Sequence, residues 1–170
     1  MKRFQFACLS IVVSGIFLGS FKASAAQPEP HKVWPRPPSR LELPTPYGVL
    51  SISTGGYLYE SRLHFNDTEV QPAIEGLLNI PYAFNLPGAQ VALISISDGN
   101  EACPISYRWV VLDNTGYRVS PVFGSCSEQI KVQASGRVLQ LHTPSQLNPN
   151  DIDIHVYDGK TLKRNTIKPG

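Results

Sequence analysis

The chain has few cysteines and, after its first residues, no long apolar segment. Three cysteines in 170 residues exclude a scaffold held mainly by disulfides. Beyond residues 9–21, no run is apolar enough over the length that a membrane-spanning helix requires. Sustained helical periodicity is also missing, which argues against a helical bundle.

Sequence motifs of catalysis are absent as well. The chain contains no G-x-S-x-G nucleophile motif, and Gly55-Gly56 is not followed by the lysine of a phosphate-binding loop. The C-terminal basic residues Lys160, Lys163, Arg164 and Lys168 are interpreted as a solvated tail rather than as a site for an acidic partner or anionic lipid. The sequence therefore gives no positive indication of an enzyme.

The N-terminal residues have the order of a secretory signal. Lys2 and Arg3 precede the apolar residues 9–21, and small residues suited to cleavage end at Ala26. This predicts a signal peptide over residues 1–26; a retained membrane helix is the alternative, but serines and glycines interrupt the apolar stretch. Cleavage leaves twelve basic against thirteen acidic residues, so nothing electrostatic supports nucleic-acid binding.

The remaining cysteines indicate one disulfide. Cleavage removes Cys8 and leaves Cys103 and Cys126, an even pair in a chain expected in an oxidising compartment. A redox or metal-binding pair would favour the closer spacing C-x-x-C. We predict a Cys103–Cys126 bridge, and a periplasmic or secreted protein without a membrane span after cleavage.

Residues 27–46 are rich in proline. They hold seven of the fifteen prolines, which predicts an extended, polyproline-like arm. The arm is interpreted as a spacer; the alternative is a docking peptide in which Trp34 anchors a partner.

From Tyr47 onward the chain alternates short β-branched and aromatic segments with turn residues. This predicts one all-β domain over residues 47–165, an antiparallel sandwich or barrel, followed by a short tail at 166–170. Residues 90–97 are apolar at nearly every position, which favours a central strand buried on both faces. In residues 137–143, alternation points Leu139 and Leu141 inward and His142 outward.

The constellation of polar residues that best suits chemistry lies in the segment DIDIHVY, residues 151–157. The two-residue strand period puts Asp151, Asp153 and His155 on one face. If residues 137–143 pair with this strand, His142 would join them and complete a two-histidine, one-carboxylate metal set. The preferred interpretation is that these polar residues alternate outward to water, so no metal or other cofactor is predicted.

The segment around the two cysteines resembles one found in exported β proteins of Gram-negative bacteria, mostly of unknown function. The resemblance covers residues 90–132 and rests on a C-P-x-x-Y-R-x-V … F-G-x-C-S pattern. Its residues here are Cys103, Pro104, Tyr107, Arg108, Val110, Gly116, Phe123, Gly124, Cys126 and Ser127. It implies an envelope location and a disulfide, and no activity.

The resulting functional hypothesis is a non-enzymatic protein-interaction module of the bacterial cell envelope. It would act as an inhibitor or immunity-type protein, or as an accessory to an envelope assembly, and its partner would be another envelope or secreted protein. A ligand- or glycan-binding module using Tyr57, Tyr59 and Tyr82 is the alternative. A metal-dependent hydrolase comes third.

Overall fold

The structure, a computed structural model, describes residues 34–35, 37–57 and 59–168. The predicted signal peptide and the first part of the predicted arm, to residue 33, lie outside the described residues. Within them, no helix is long and apolar enough to cross a bilayer.

The described residues form twelve strands and no helix, which confirms the predicted all-β class. The strands are β1 (Glu42–Thr45), β2 (Gly48–Ser53), β3 (Ser61–Phe65), β4 (Thr68–Glu69), β5 (Glu75–Leu86), β6 (Ala89–Ser97), β7 (Ser106–Asp113), β8 (Gly116–Val119), β9 (Lys131–Ser135), β10 (Val138–Pro144), β11 (Ile152–Tyr157) and β12 (Leu162–Ile167).

Two antiparallel sheets contain these strands. The large sheet has the order β1-β2-β3-β5-β6-β7-β8, with β4 beside β3, and the small sheet has the order β12-β11-β10-β9. The ring of Phe65 on β3 meets that of Tyr117 on β8 at a centroid distance of 5.7 Å, so the large sheet curls until distant strands touch. The chain crosses from the large to the small sheet in residues 120–130, called here the crossing segment.

Strand β6 is buried on both faces, as its sequence predicts. Ala92, Ile94 and Ile96 pack in a first core enclosed by the curled large sheet. Val91 and Leu93 pack in a second core between the large and small sheets, together with Leu139 and Leu141 of β10. The inward direction predicted for these two leucines is therefore confirmed. Each buried aliphatic side chain contributes roughly 1.5–3 kcal/mol relative to its exposed state.

Four short hairpin turns join β5–β6, β7–β8, β9–β10 and β11–β12. In the first, Pro87 precedes Gly88, whose φ of +74° is the left-handed conformation that the third residue of a type II turn requires. These short connections keep sequential strands adjacent.

The boundaries of the domain differ from those predicted. Strand β1 lies inside the predicted proline-rich arm: Leu43 is buried in the first core, and the carbonyl of Arg40 accepts a hydrogen bond from the Ile80 amide (3.0 Å). At the other end, β12 continues to Ile167 and includes the first residues of the predicted tail. Pro44 is tolerated because β1 is an edge strand, where a missing amide donor leaves no ladder bond unmade.

Cys103 and Cys126 form the predicted disulfide.

Replacing both with serine should lower the free energy of unfolding by about 3 kcal/mol, because the bridge closes a loop across a separation of 23 residues and restricts the unfolded chain. Urea denaturation followed by circular dichroism measures the difference. The difference should vanish when both proteins are unfolded in reductant; a difference that persists there would assign the loss to packing of the serines.

Candidate functional site

The crossing segment brings residues of both sheets together beneath the disulfide. Phe123 exchanges two backbone hydrogen bonds with Tyr107 of β7, at 2.8 and 2.9 Å. Gly124, with φ +126°, lies so close to the Tyr107 ring that a Cβ there would stand 2.9 Å from Cδ2. The next residue, Ser125, is thereby turned inward and is buried.

Ser125 meets two buried residues of β11. Its Oγ donates to Asp153 Oδ2 at 2.5 Å and lies 3.2 Å from His155 Nε2. Asp153 is 0% and His155 3% exposed, and the His155 ring packs on Phe123 at a centroid distance of 5.6 Å. We call Ser125, Asp153 and His155 the polar cluster.

The edge strand β12 completes the surroundings of the Asp153 carboxylate. Thr166, opposite Asp153 in the register, donates to Oδ1 at 2.6 Å, and the Arg164 guanidinium lies 2.9 Å from Oδ2. On the other side, Thr143 of β10 is opposite Asp153, and its buried hydroxyl has no hydrogen-bond partner among the described residues. Three strands and the crossing segment thus converge on one carboxylate.

Electrostatics keep the two titratable members in different states. Burial alone would raise the pKa of Asp153, but hydrogen bonds from Ser125 and Thr166 and the charge of Arg164 outweigh it, so the pKa falls below its ordinary value. Burial lowers the pKa of His155; the Asp153 charge opposes this shift and the Arg164 charge adds to it. At neutral pH the cluster therefore holds an ionised carboxylate and a neutral imidazole.

The geometry of the polar cluster is that of a cross-link. In a serine–histidine–aspartate relay the carboxylate orients the imidazole, whereas here the Asp153 carboxylate receives the serine hydroxyl itself. All three side chains are sealed from solvent, so a substrate cannot reach Ser125 in this conformation. What the arrangement does is attach the crossing segment to the small sheet.

The candidate metal ligands are not brought together, and the outward direction predicted for Asp153 and His155 is wrong. In the register of β10 and β11, His155 is opposite Leu141 and His142 is opposite Ile154. His142 therefore lies on the outer face, while Asp153 and His155 lie on the inner face with Leu141. The inner position is possible because Ser125, Thr166 and Arg164 satisfy the polar groups there. Among the described residues, no three histidine, cysteine or acidic side chains are grouped to hold a metal ion.

The other predicted binding residues are distributed over the surface. Trp34 is half-buried. Tyr57 and Tyr59, in the loop between β2 and β3, are 78% and 42% exposed. Tyr82 is half-buried and stacks on Phe84 at 6.4 Å beside the second core, so it belongs to the packing of the sheets.

Three loops near the disulfide form a surface that the sequence did not indicate. We define the loop surface as residues 54–57, 59, 98–105 and 145–151. A Cβ on Gly99 would lie 3.1 Å from the Tyr59 ring, and Gln146 donates to the Ala102 carbonyl at 3.5 Å, so the loops are linked. Leu147, at 90% exposure, projects from the third loop.

Comparison of the chain with known protein families, with characterised proteins and with solved structures finds no match in any of the three.

Asp153→Asn should lower the free energy of unfolding by about 1–3 kcal/mol, because an amide cannot accept all the hydrogen bonds that the buried carboxylate receives. Asp151→Asn, in the preceding loop, is the matched control and should change it by less than about 0.5 kcal/mol. Urea denaturation of both variants gives the comparison. Equal effects of the two substitutions would contradict the cross-linking role.

Stability should depend on pH through His155. Because its pKa is lower in the folded protein than the ordinary 6.5, the unfolded chain binds the proton first. The stability that neutral His155 contributes is therefore complete above about pH 6.5. It is lost as the pH falls from there through the folded-state pKa of His155. The pKa of Asp153 is also lowered from its ordinary value of 3.8. Its protonation therefore affects stability only below about pH 3.8, outside this window.

Denaturation midpoints at about pH 7.5 and pH 5.5 test this linkage. The wild-type protein should lose stability between them, and His155→Gln should lose less. If the variant shows the full wild-type loss, another group carries the linkage.

Proposed function

We propose that the protein is an exported, non-enzymatic protein-interaction module of the bacterial cell envelope. It binds a partner protein through the loop surface, as an inhibitor or immunity-type protein or as an accessory to an envelope assembly. The disulfide supports export to an oxidising compartment, since such bridges rarely persist in the cytosol.

The observation that carries the proposal is the exposure of large apolar side chains on cross-linked loops. Tyr57 and Leu147 are 78% and 90% exposed, and Tyr59 adds a third apolar side chain. Tyrosine is enriched among residues that dominate binding energy at protein interfaces. Unlike single surface leucines on strands, these side chains belong to loops that touch one another.

The cross-links favour binding because they limit the entropy lost on association. The disulfide joins the second loop to the crossing segment, and the Gln146–Ala102 hydrogen bond joins the third loop to the second. A surface that is already ordered loses less conformational freedom when a partner docks. The same rigid framework seals the polar cluster from solvent, which supports binding rather than catalysis at this end of the molecule.

A triple variant, Tyr57→Ser/Tyr59→Ser/Leu147→Ser, tests the loop surface. Tagged wild-type protein should retain a partner from an envelope extract of the native host, and the triple variant should bind it at least about tenfold more weakly, because the exposed anchors are lost. Quantitative mass spectrometry identifies the partner, and titration with the purified partner gives the affinities.

Val49→Ser is the control, since Val49 is a large apolar residue, 39% exposed, at the far end of the β2–β3 hairpin from the loop surface. It should bind the partner like the wild type. The proposal fails if wild-type protein retains no partner, or if the triple variant, folded by circular dichroism, binds as well as the control.

A further inference from the structure

A cleft of about 430 Å³ opens where the four hairpin turns meet. The turns β5–β6 and β7–β8 contribute Leu86–Ala89, Asp113 and Arg118, and the turns β9–β10 and β11–β12 contribute Arg137 and residues 158–160. Both sheets therefore form its walls. The cleft lies at the opposite end of the strands from the loop surface, since β6 begins at Ala89 here and ends at Ser97 there. Its volume falls within the ordinary range of small-molecule sites.

The inner wall of the cleft is apolar. Val91, Val111 and Leu139 line it, and they are members of the second core with exposures of 0%, 6% and 1%. Leu86 and Ala89 extend this wall toward the opening. Because the inner wall is already closed to water, the favourable burial on binding comes from the ligand's own hydrocarbon and from the half-buried Leu86 and Ala89.

The two acidic residues at the rim of the cleft already have hydrogen-bond partners within their own hairpins. Asp113 accepts hydrogen bonds from Thr115 and pairs with Arg118 at 2.7 Å; these contacts lower its pKa to about 2. Asp158 accepts the Lys160 and Thr161 amides at 2.9 and 2.7 Å and the Thr161 hydroxyl at 2.7 Å; together these lower its pKa to about 2. Both carboxylates are ionised and committed to their own turns.

Two cations of the rim have no such partner. Within the part of the chain that the structure describes, neither the Arg137 guanidinium nor the Lys160 ammonium forms an ion pair or a side-chain hydrogen bond. They stand on neighbouring hairpins on the small-sheet side of the cleft. Charged hydrogen bonds to a carboxylate or phosphate are stronger than neutral ones, so this pair favours an anionic group.

We propose that the cleft binds a small amphipathic anion, with its hydrocarbon part against Leu86, Ala89 and Val111 and its carboxylate or phosphate between Arg137 and Lys160. This site is separate from the loop surface, and its existence does not depend on a protein partner. The ligand-binding alternative raised by the sequence is thereby assigned to the cleft. Tyr57, Tyr59 and Tyr82 take no part in it, since none of the three lines the cleft.

Isothermal titration calorimetry with octanoate, octyl phosphate, octanol and inorganic phosphate tests the proposal on the full chain. At least one of the two anionic amphiphiles should bind with one-to-one stoichiometry, and the better of them identifies the head group. Octanol and inorganic phosphate should each bind at least about tenfold more weakly, because each lacks one of the two contacts.

Arg137→Gln/Lys160→Gln should weaken binding of the anionic amphiphile by at least about tenfold, because both charged donors are lost. Lys131→Gln/Lys168→Gln is the matched control: it makes the same change in net charge at the other end of the small sheet and should bind like the wild type. All four positions are exposed, so both variants should fold.

Three results would overturn the proposal. The first is no binding of either amphiphile at millimolar concentration. The second is octanol or inorganic phosphate binding as tightly as the amphiphiles, which would show that charge or hydrocarbon alone is recognised. The third is equal weakening by the two double variants, which would show a general effect of net charge.

Discussion

The structure depends on covering both faces of β6 and β7. These neighbouring strands carry apolar side chains on each face, with Leu93 and Trp109 on one side and Ile94 and Val110 on the other, all 0% exposed. One flat sheet cannot shield both faces from water. The large sheet therefore curls over the face of Ile94 and Val110, and the small sheet covers the face of Leu93 and Trp109.

Because there is a second sheet, the chain needs the crossing segment, and this segment is held in part by buried polar side chains. A connection that leaves the edge strand β8 has no regular ladder to hold it. It is fixed instead by the Phe123–Tyr107 backbone pair, by the disulfide at Cys126, and by Ser125 in the polar cluster. Burying a carboxylate and an imidazole is costly unless their hydrogen bonds are made. Ser125 makes such bonds from the crossing segment, so the cluster attaches this segment to the small sheet.

Features encoded by neighbouring residues could be predicted from the sequence, and features encoded across long separations could not. The central position of β6, the inward leucines of β10 and the hairpin turns follow from local alternation and turn residues, and the disulfide follows from cysteine count and expected compartment. Alternation also shows that Asp153 and His155 share a face, but not which face is inside. That choice depends on Ser125, which is 28 residues from Asp153 in sequence, and on Thr166, which is 13 residues away. The cleft likewise needs four turns brought together by two sheets.

The two ends of the domain differ because their connections differ in length. At the turn end, the connections have two to four residues, and the two rim acids, Asp113 and Asp158, accept hydrogen bonds within their own turns. Arg137 and Lys160 are therefore left as the unmatched charges around an apolar opening. At the disulfide end, longer loops are cross-linked to one another and can hold Tyr57 and Leu147 in solvent without collapsing onto the core. One body with two cores thus presents an anion-selective cleft at one end and an apolar protein-binding surface at the other, as proposed.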